Sequence, residues 1–225
     1  MWRVQLYIFI HRHPKIRNWL QRSYPSRTLM PVLFNFDHNY SDRIYMVNEI
    51  LPALMSSSVQ RLLFVGCKEY TARYGRRLTR AGVDYWTTDI DPAAVIWGEK
   101  DHHIVCDITK IDHVCPAESF DAVLLNGVLG DGVDEESVMN RALTAIAHIL
   151  RPNGILLIGW NSEKKHPNPI ELDGVTMNFR RGCPLPLAAR KTFADTDHVY
   201  DWLIKTNAAA TDATAQGISD HLYRA

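Results

Sequence analysis

A net charge is missing from this chain: 25 Lys and Arg stand against 25 Asp and Glu among 225 residues. That balance removes the global attraction by which a basic protein collects nucleic acid. Paired cysteines are missing too. Cys67, Cys106, Cys115 and Cys183 show no ligand-like spacing, and Cys67 and Cys106 sit in or beside apolar runs, where a reduced thiol behaves as a small hydrophobe. A reducing, cytoplasmic setting is expected. Long apolar runs are absent as well: the opening WRVQLYIFI is short, is interrupted by Arg3 and Gln5, and has no small-residue cleavage site close behind it, so neither a signal peptide nor a membrane span is expected. Glycine is scarce where several would be usual, since only Gly66 stands in the turn after the first strong apolar run.

What is present is unevenly distributed. Residues 1–36 hold six Lys or Arg and no acid, whereas Asp84 to Glu136 holds thirteen acids against two lysines. A phosphate backbone would be repelled by that acidic middle, so no nucleic-acid partner is expected. The basic N-terminus suits a solvated face or peripheral contact with a membrane surface. At this length one α/β domain with an appended segment is expected. The division is a basic, helical cap over 1–58, the α/β domain over 59–206, and a small, polar, fraying tail over 207–225.

Trp2, Val4, Leu6, Ile8 and Ile10 alternate as in a strand, while Ile16, Trp19 and Leu20 take helical spacing. A further helix is expected from Ser41, with its hydroxyl as cap, through Ile44, Val47, Ile50 and Leu51, with Pro52 kinking or ending it. From Arg61 the pattern becomes regular. Strands are expected at Leu62 to Val65, Val83 to Thr88, Ile104 to Cys106, Ala122 to Leu125, Gly154 to Trp160 and His198 to Thr206, with a further one near Val175 to Phe179. Helices are expected at Thr71 to Ala81, Pro92 to Gly98 and Asp134 to Leu150. Such alternation requires right-handed crossovers and a doubly wound, mostly parallel sheet covered on both faces.

Ligands of such sheets sit outside the carboxyl ends of the strands, so the residues found there are the candidate site. After the first strand, Gly66 permits close backbone approach, and the amides of Cys67, Lys68, Glu69, Tyr70 and Thr71 lead into a helix whose N-terminal partial charge suits a small acidic group. After the second, Asp89 stands about twenty residues beyond the glycine turn, the interval at which a carboxylate accepts from a ribose diol. Ile90 beside it offers an apolar contact to a purine face, and Asp91-Pro92 reads as a cap and first residue of the next helix. After the third, Asp107 and Ile108 offer a carboxylate to an exocyclic amine and a side chain to the ring, or else Asp107 is a turn or capping aspartate. After the fourth, Asn126 and the pliable Gly127 face the reactive end of the ligand.

Taken together, LLFVGCKEYT, TTDIDP, CDIT, FDAVLLNGV and LRPNGILLIGW, in this order over Arg61 to Trp160, resemble the class I S-adenosylmethionine-dependent methyltransferases, and the later HVYDWLIKT is in keeping. The resemblance implies a Rossmann-like methyltransferase fold with S-adenosylmethionine as cofactor. It implies that Gly66 and the amides after it hold the methionine end, Asp89 the ribose, Asp107 and Ile108 the adenine, and Asn126 the sulfonium side. The glycine motif is degenerate: Phe64 stands where the family usually has an acid, and Lys68 and Tyr70 stand where it has glycines. Glu69 is then a replacement carboxylate, and Tyr70 a ring that closes over the methionine moiety.

The expected activity is methyl transfer to an oxygen or nitrogen of a small molecule or sugar, such as a secondary metabolite or glycan. The alternative is a partner protein that keeps the fold and has lost the cofactor. Nicotinamide chemistry is disfavoured because GxGxxG is absent. Methyl transfer from a sulfonium needs alignment first and a base only sometimes, so no catalytic residue is assigned. Candidate proton acceptors lie in NFDHNYSDRIY, namely Asp37, His38, Tyr40, Asp42 and Tyr45, whose plainer role is to fasten a helix to the sheet. His102, His103, Cys106, His113 and Cys115 match no zinc spacing, and no metal is expected. Arg73, Arg76, Arg77 and Arg80 read as a solvated helix face, and Trp86 and Trp160 as packing.

Overall fold

The computed structural model describes residues 40–207. The strand and helix expected within the first 36 residues, Asp37 and His38, and the tail beyond Asn207 lie outside them. A helical segment comes first, as α1 (Ser41–Tyr45), a π-helical stretch (Met46–Ile50) and α2 (Leu51–Met55). Pro52 sits in the first turn of α2, where its missing N–H is tolerated, directly after the π stretch. The helix therefore continues past Pro52. Ser41 does not cap it: its hydroxyl donates to Asp195 at 2.8 Å, and Tyr40 occupies the cap position without a side-chain bond.

The sheet is built from β1 (Arg61–Val65), β2 (Asp84–Asp89), β3 (His103–Val105), β4 (Phe120–Asn126), β5 (Leu150–Asn161), β6 (Phe179–Arg181), β7 (Arg190–Thr192) and β8 (His198–Lys205). Its order is β3-β2-β1-β4-β5-β8-β6, with β7 also on β8. The first five strands are parallel, and β8 runs antiparallel to β5. Side chains of a strand alternate between faces, and both faces are apolar here, as parallel sheets require. Leu63, Val65, Val123, Leu125, Leu156 and Ile158 join one cluster under α5 (Glu136–Ile149), and Leu62, Phe64, Leu124 and Leu157 join the other under α1, α2 and α3 (Tyr74–Arg80). Helix α5 buries Met139, Ala142, Leu143 and Ile146, a stripe at helical spacing. Met46, Ile50, Leu51 and Leu54 are fully buried, so the described part of the N-terminal cap belongs to the same core.

Several boundaries differ from the sequence pattern for local reasons. The expected helix from Thr71 starts as a 3-10 turn (Glu69–Arg73) before α3, and the expected Pro92 to Gly98 helix is a 3-10 turn (Pro92–Ile96) capped by Asp91, whose carboxylate accepts from the Ala93 amide at 2.9 Å. A short α4 (Ile111–Val114) precedes β4. The strand expected near Val175 is instead α6 (Asp173–Thr176), with β6 starting at Phe179. Gly174 explains it: its amide donates to Asn140 at 2.7 Å, and a Cβ there would stand 2.8 Å from that of Leu143. The segment is thereby drawn onto α5. Arg77 is no solvated residue either, since its guanidinium donates to the Val47 carbonyl at 2.6 Å and fastens α3 to the π stretch.

Candidate functional site

The carboxyl ends of β1, β2, β3 and β4 converge and bring Gly66, Asp89, Asp107 and Asn126 to one rim of the sheet. Gly66 has φ +88°, and a Cβ there would come within 3.0 Å of Val128 and 3.3 Å of the Asn126 carbonyl oxygen. Only glycine suits that position. Its amide extends the ladder to the Thr88 carbonyl at 3.0 Å. One residue on, the Cys67 amide donates to Asp89 Oδ2 at 2.7 Å, and Asp89 Oδ1 accepts from the Asp91 amide at 2.9 Å. A carboxylate has about four acceptor positions, so each oxygen of Asp89 keeps one for a hydroxyl donor.

The loop after Gly66 is organised differently from the expectation that its amides point at a ligand. Thr71 Oγ1 accepts from the Lys68 amide at 3.0 Å and donates to the Lys68 carbonyl at 2.8 Å, and the Thr71 amide donates to the same carbonyl. With the Cys67 amide on Asp89, the amides of Cys67, Lys68 and Thr71 are all engaged inside the turn. The reason is the 3-10 geometry, which closes on itself through Thr71. The Tyr70 ring carries the Arg43 guanidinium 4.0 Å from its centroid, which links the turn to α1. Phe64, at the position of the missing acid, is fully buried with its ring edge-on to Tyr74.

At the end of β3, Asp107 caps a 3-10 turn (Ile108–Lys110), its Oδ1 accepting from the Thr109 amide at 3.0 Å. Ile108 is 5% exposed and packed in the core cluster, so its side chain meets protein rather than a ligand ring. Ile90, by contrast, is 67% exposed beside Asp89. Gly127, at φ +68°, donates to the Gly159 carbonyl and ties the ends of β4 and β5.

A second polar cluster, outside the residues expected from the sequence, stands on this rim. Antiparallel pairing brings the first residue of β8, His198, opposite the last of β5, Asn161. His198 Nδ1 lies 2.9 Å from Asn161 Oδ1, and Nε2 lies 3.1 Å from Asn126 Oδ1. Asn161 Nδ2 donates to Asp197 at 3.0 Å. Burial pushes the His198 pKa below its usual range, against the pull of Asp42 and Asp197. The available signal was a histidine heading an apolar strand that must return beside β5. Of the residues weighed as proton acceptors, Tyr45 stacks on Tyr200 with centroids 6.2 Å apart, and Asp42 is buried, its backbone carbonyl accepting from the Tyr200 hydroxyl and its charge acting on His198. Trp160 is buried with Nε1 on Asp201 at 2.8 Å. His102 stacks flat on Trp86 at 4.5 Å, His103 meets Thr87, and among the described residues no group of acids, histidines and cysteines is placed to hold a metal ion.

Comparison with known proteins gives this geometry its class. Residues 63–158 match the family model described as a methyltransferase domain. That stretch is a methyltransferase domain of the S-adenosylmethionine-dependent kind, with S-adenosylmethionine as its cofactor. The fold is similar to that of the N-methyltransferase NodS from Bradyrhizobium japonicum with S-adenosylhomocysteine, at TM-score 0.58 and 16% identity over 77% of this chain and 91% of that one. It is also similar to the 1,6-didemethyltoxoflavin-N1-methyltransferase of Burkholderia thailandensis, at TM-score 0.54 and 17% identity over 87% and 91%. A TehB-like methyltransferase from Corynebacterium glutamicum aligns at TM-score 0.52 and 19% identity over 76% and 97%. No curated protein matches the sequence.

The residues present fit that cofactor. Gly66 leaves room at the strand end, Asp89 keeps acceptor capacity for a diol, and Asp107 Oδ2 makes no hydrogen bond among the described residues. No helix among the described residues is long and apolar enough to cross a membrane.

Proposed function

We propose that the protein transfers a methyl group to a nitrogen of a small molecule, an oxygen of a small molecule or sugar being the second choice. The bound cofactor supplies a methyl already activated by its sulfonium. What remains for the chain is to hold cofactor and acceptor in line. Asp89 takes the ribose hydroxyls, Asp107 the exocyclic amine of the purine, Ile90 lies against the ring, and Asn126 stands at the sulfonium side.

The observation that carries the choice of nitrogen is the chemistry of the rim beside Asn126. The side chains there are two carboxamides, Asn126 and Asn161, joined through a buried imidazole. Two carboxylates act on that imidazole: Asp197 is already bound to Asn161 Nδ2 and the Glu163 amide, and Asp42 is buried. A neutral amine brings its own lone pair and sheds its proton after transfer, so such a rim suffices for it, while a hydroxyl acceptor calls for a base. The structural neighbours described as N-methyltransferases are in keeping with this reading. Acids at 89, 91, 107, 131 and 134 favour a neutral or cationic acceptor over a nucleic acid.

The test is incubation with S-adenosylmethionine and a panel of amines, alcohols and saccharides, read by mass spectrometry for acceptors heavier by one methylene. Methylated amines with unreacted alcohols are expected. Turnover of hydroxyl acceptors alone would overturn the nitrogen assignment while leaving the cofactor site intact.

A further inference from the structure

His198 faces two oxygens with one proton to give. A neutral imidazole has a single N–H, yet Nδ1 and Nε2 are each within hydrogen-bond distance of an amide oxygen, from Asn161 and Asn126 respectively. Either the ring is protonated, or one carboxamide is turned so that its NH2 faces the ring. Oxygen and nitrogen of a carboxamide occupy nearly equivalent places, so their assignment follows from the partners.

Asn161 cannot be the one that turns. Its Nδ2 donates to Asp197 Oδ1 at 3.0 Å, and reversal would set a carbonyl oxygen against that carboxylate. Asp197 is itself held, by the Glu163 amide on its side chain and by the Ser162 amide and hydroxyl on its carbonyl. Asn161 Oδ1 therefore draws the ring proton to Nδ1. Asn126 has no such anchor: its carboxamide makes no other hydrogen bond among the described residues. Room for it comes from Gly159, where a Cβ would collide with Asn126 Oδ1 and stand 2.9 Å from His198 Nε2.

Two arrangements follow. With a neutral ring, Nε2 carries a lone pair, Asn126 Nδ2 donates to it, and Asn126 Oδ1 points away from His198. With a protonated ring, Nε2–H donates to Asn126 Oδ1, and the NH2 group points away. His198 is buried while Asn126 is half-buried, so the end of the carboxamide turned from His198 is the end that meets the rim. We infer that His198 is a positioning residue that selects which end of Asn126 faces the cofactor, the neutral ring presenting the carbonyl oxygen and favouring the cationic sulfonium over the uncharged thioether product. This rests on the placement of Asn126 at the sulfonium side given above.

The charged groups around the ring set where the change occurs. Asp42 from α1 and Asp197 before β8 favour the proton, Arg43 from α1 and Lys164 after β5 oppose it, and the Tyr200 ring meets His198 edge-on at 4.8 Å. Burial outweighs the rest and favours the neutral ring. The carbonyl-out state is thus the neutral-pH state, and the reversal falls on the acid side of the ordinary histidine value of 6.5.

Two measurements test this on the whole chain. Long-range proton–nitrogen NMR correlation on the ¹⁵N-labelled protein at neutral pH is expected to show His198 with its proton on Nδ1, and a proton on Nε2 overturns the proposal. Calorimetric titration with S-adenosylmethionine and S-adenosylhomocysteine between about pH 8 and about pH 5 then reads the preference between them. In the wild type the preference for the sulfonium ligand is expected to fall roughly threefold to tenfold toward acid pH, the weight of one hydrogen-bond-scale contact to a charge. His198→Gln should lose that pH dependence, and Asn126→Ala should show the reduced preference at every pH. A preference that is flat with pH in the wild type, or equally pH-dependent in His198→Gln, overturns the proposal alone. If neither ligand binds, the cofactor reading and this proposal both fail, whichever tautomer the NMR shows.

Discussion

The Asp89 carboxylate accepts from the Cys67 amide at 2.7 Å, so the end of β2 is tied directly to the turn that leaves β1. The same side chain accepts from the Asp91 amide and shapes the turn into the next 3-10 segment. Asp89 thus has a structural duty beside the ligand-facing one proposed for it. Asp89→Ala is expected to lose about 1–3 kcal/mol of stability, as for unpaired amides left by a charged acceptor. It is also expected to weaken S-adenosylhomocysteine binding at least tenfold. Urea denaturation and calorimetry separate the two; unchanged ligand affinity in a folded variant would remove Asp89 from the cofactor site.

Gly66→Ala should cost about 1–2 kcal/mol on conformational grounds alone, because the residue sits at φ +88°. The added methyl would also press on Val128 at 3.0 Å and on the Asn126 carbonyl. The loss should exceed that of an alanine at Gly82, which shares the positive φ but has open space around its Cβ position. Chemical denaturation of the two variants checks the difference.

The parts of this molecule that were legible in the sequence are those where one residue type has one physical use. Apolar runs of RLLFV and AVLL have nowhere to go but the centre of a parallel sheet, and Asp91-Pro92 has the chemistry of a helix start, which is the role it takes. Residues with several uses were harder. Thr71 reads as an ordinary helix residue, yet its hydroxyl closes the turn and engages the Lys68 amide. Ile108 follows a strand-end aspartate, yet contact with α5 draws it into the core. His198 had no visible partner because Asn126 and Asn161 are 72 and 37 residues away and meet it only through sheet register. Long-range pairing leaves no local trace.

Cys67 lies beside the site but should not react. Burial, and next the Asp89 charge, push its thiol up to about 12, and only the thiolate is nucleophilic. Cys115, pushed to about 11, is also buried. Native protein treated with iodoacetamide at mildly alkaline pH is therefore expected to alkylate at Cys106 and Cys183, which are partly exposed, before Cys67 and Cys115. Peptide mapping gives the order. Rapid labelling of Cys67 would mean that the β1 turn opens in solution.

Asp121 should be a source of acid sensitivity. At the start of β4, its Oδ2 accepts from the Gln60 and Arg61 amides at 2.9 and 2.8 Å, and Oδ1 meets the Arg151 guanidinium. Burial alone would raise its pKa, but the Arg61 amide, Arg151 and the Gln60 amide together outweigh that and hold it below the ordinary 3.8. A carboxyl depressed on folding contributes stability that is present above its unfolded value and is lost as pH falls through its folded value. Asp121→Asn keeps one acceptor oxygen for the two amides but neither the charge nor the titration. It should be less stable than the wild type by about 1–2 kcal/mol at neutral pH, the scale of a hydrogen bond to a charged group. The gap should stay constant down to about pH 4 and narrow below it as the wild-type carboxyl takes its proton. Denaturation curves at a series of pH values measure this directly, and a gap that widened toward acid pH would show that Asp121 is not depressed in the native state.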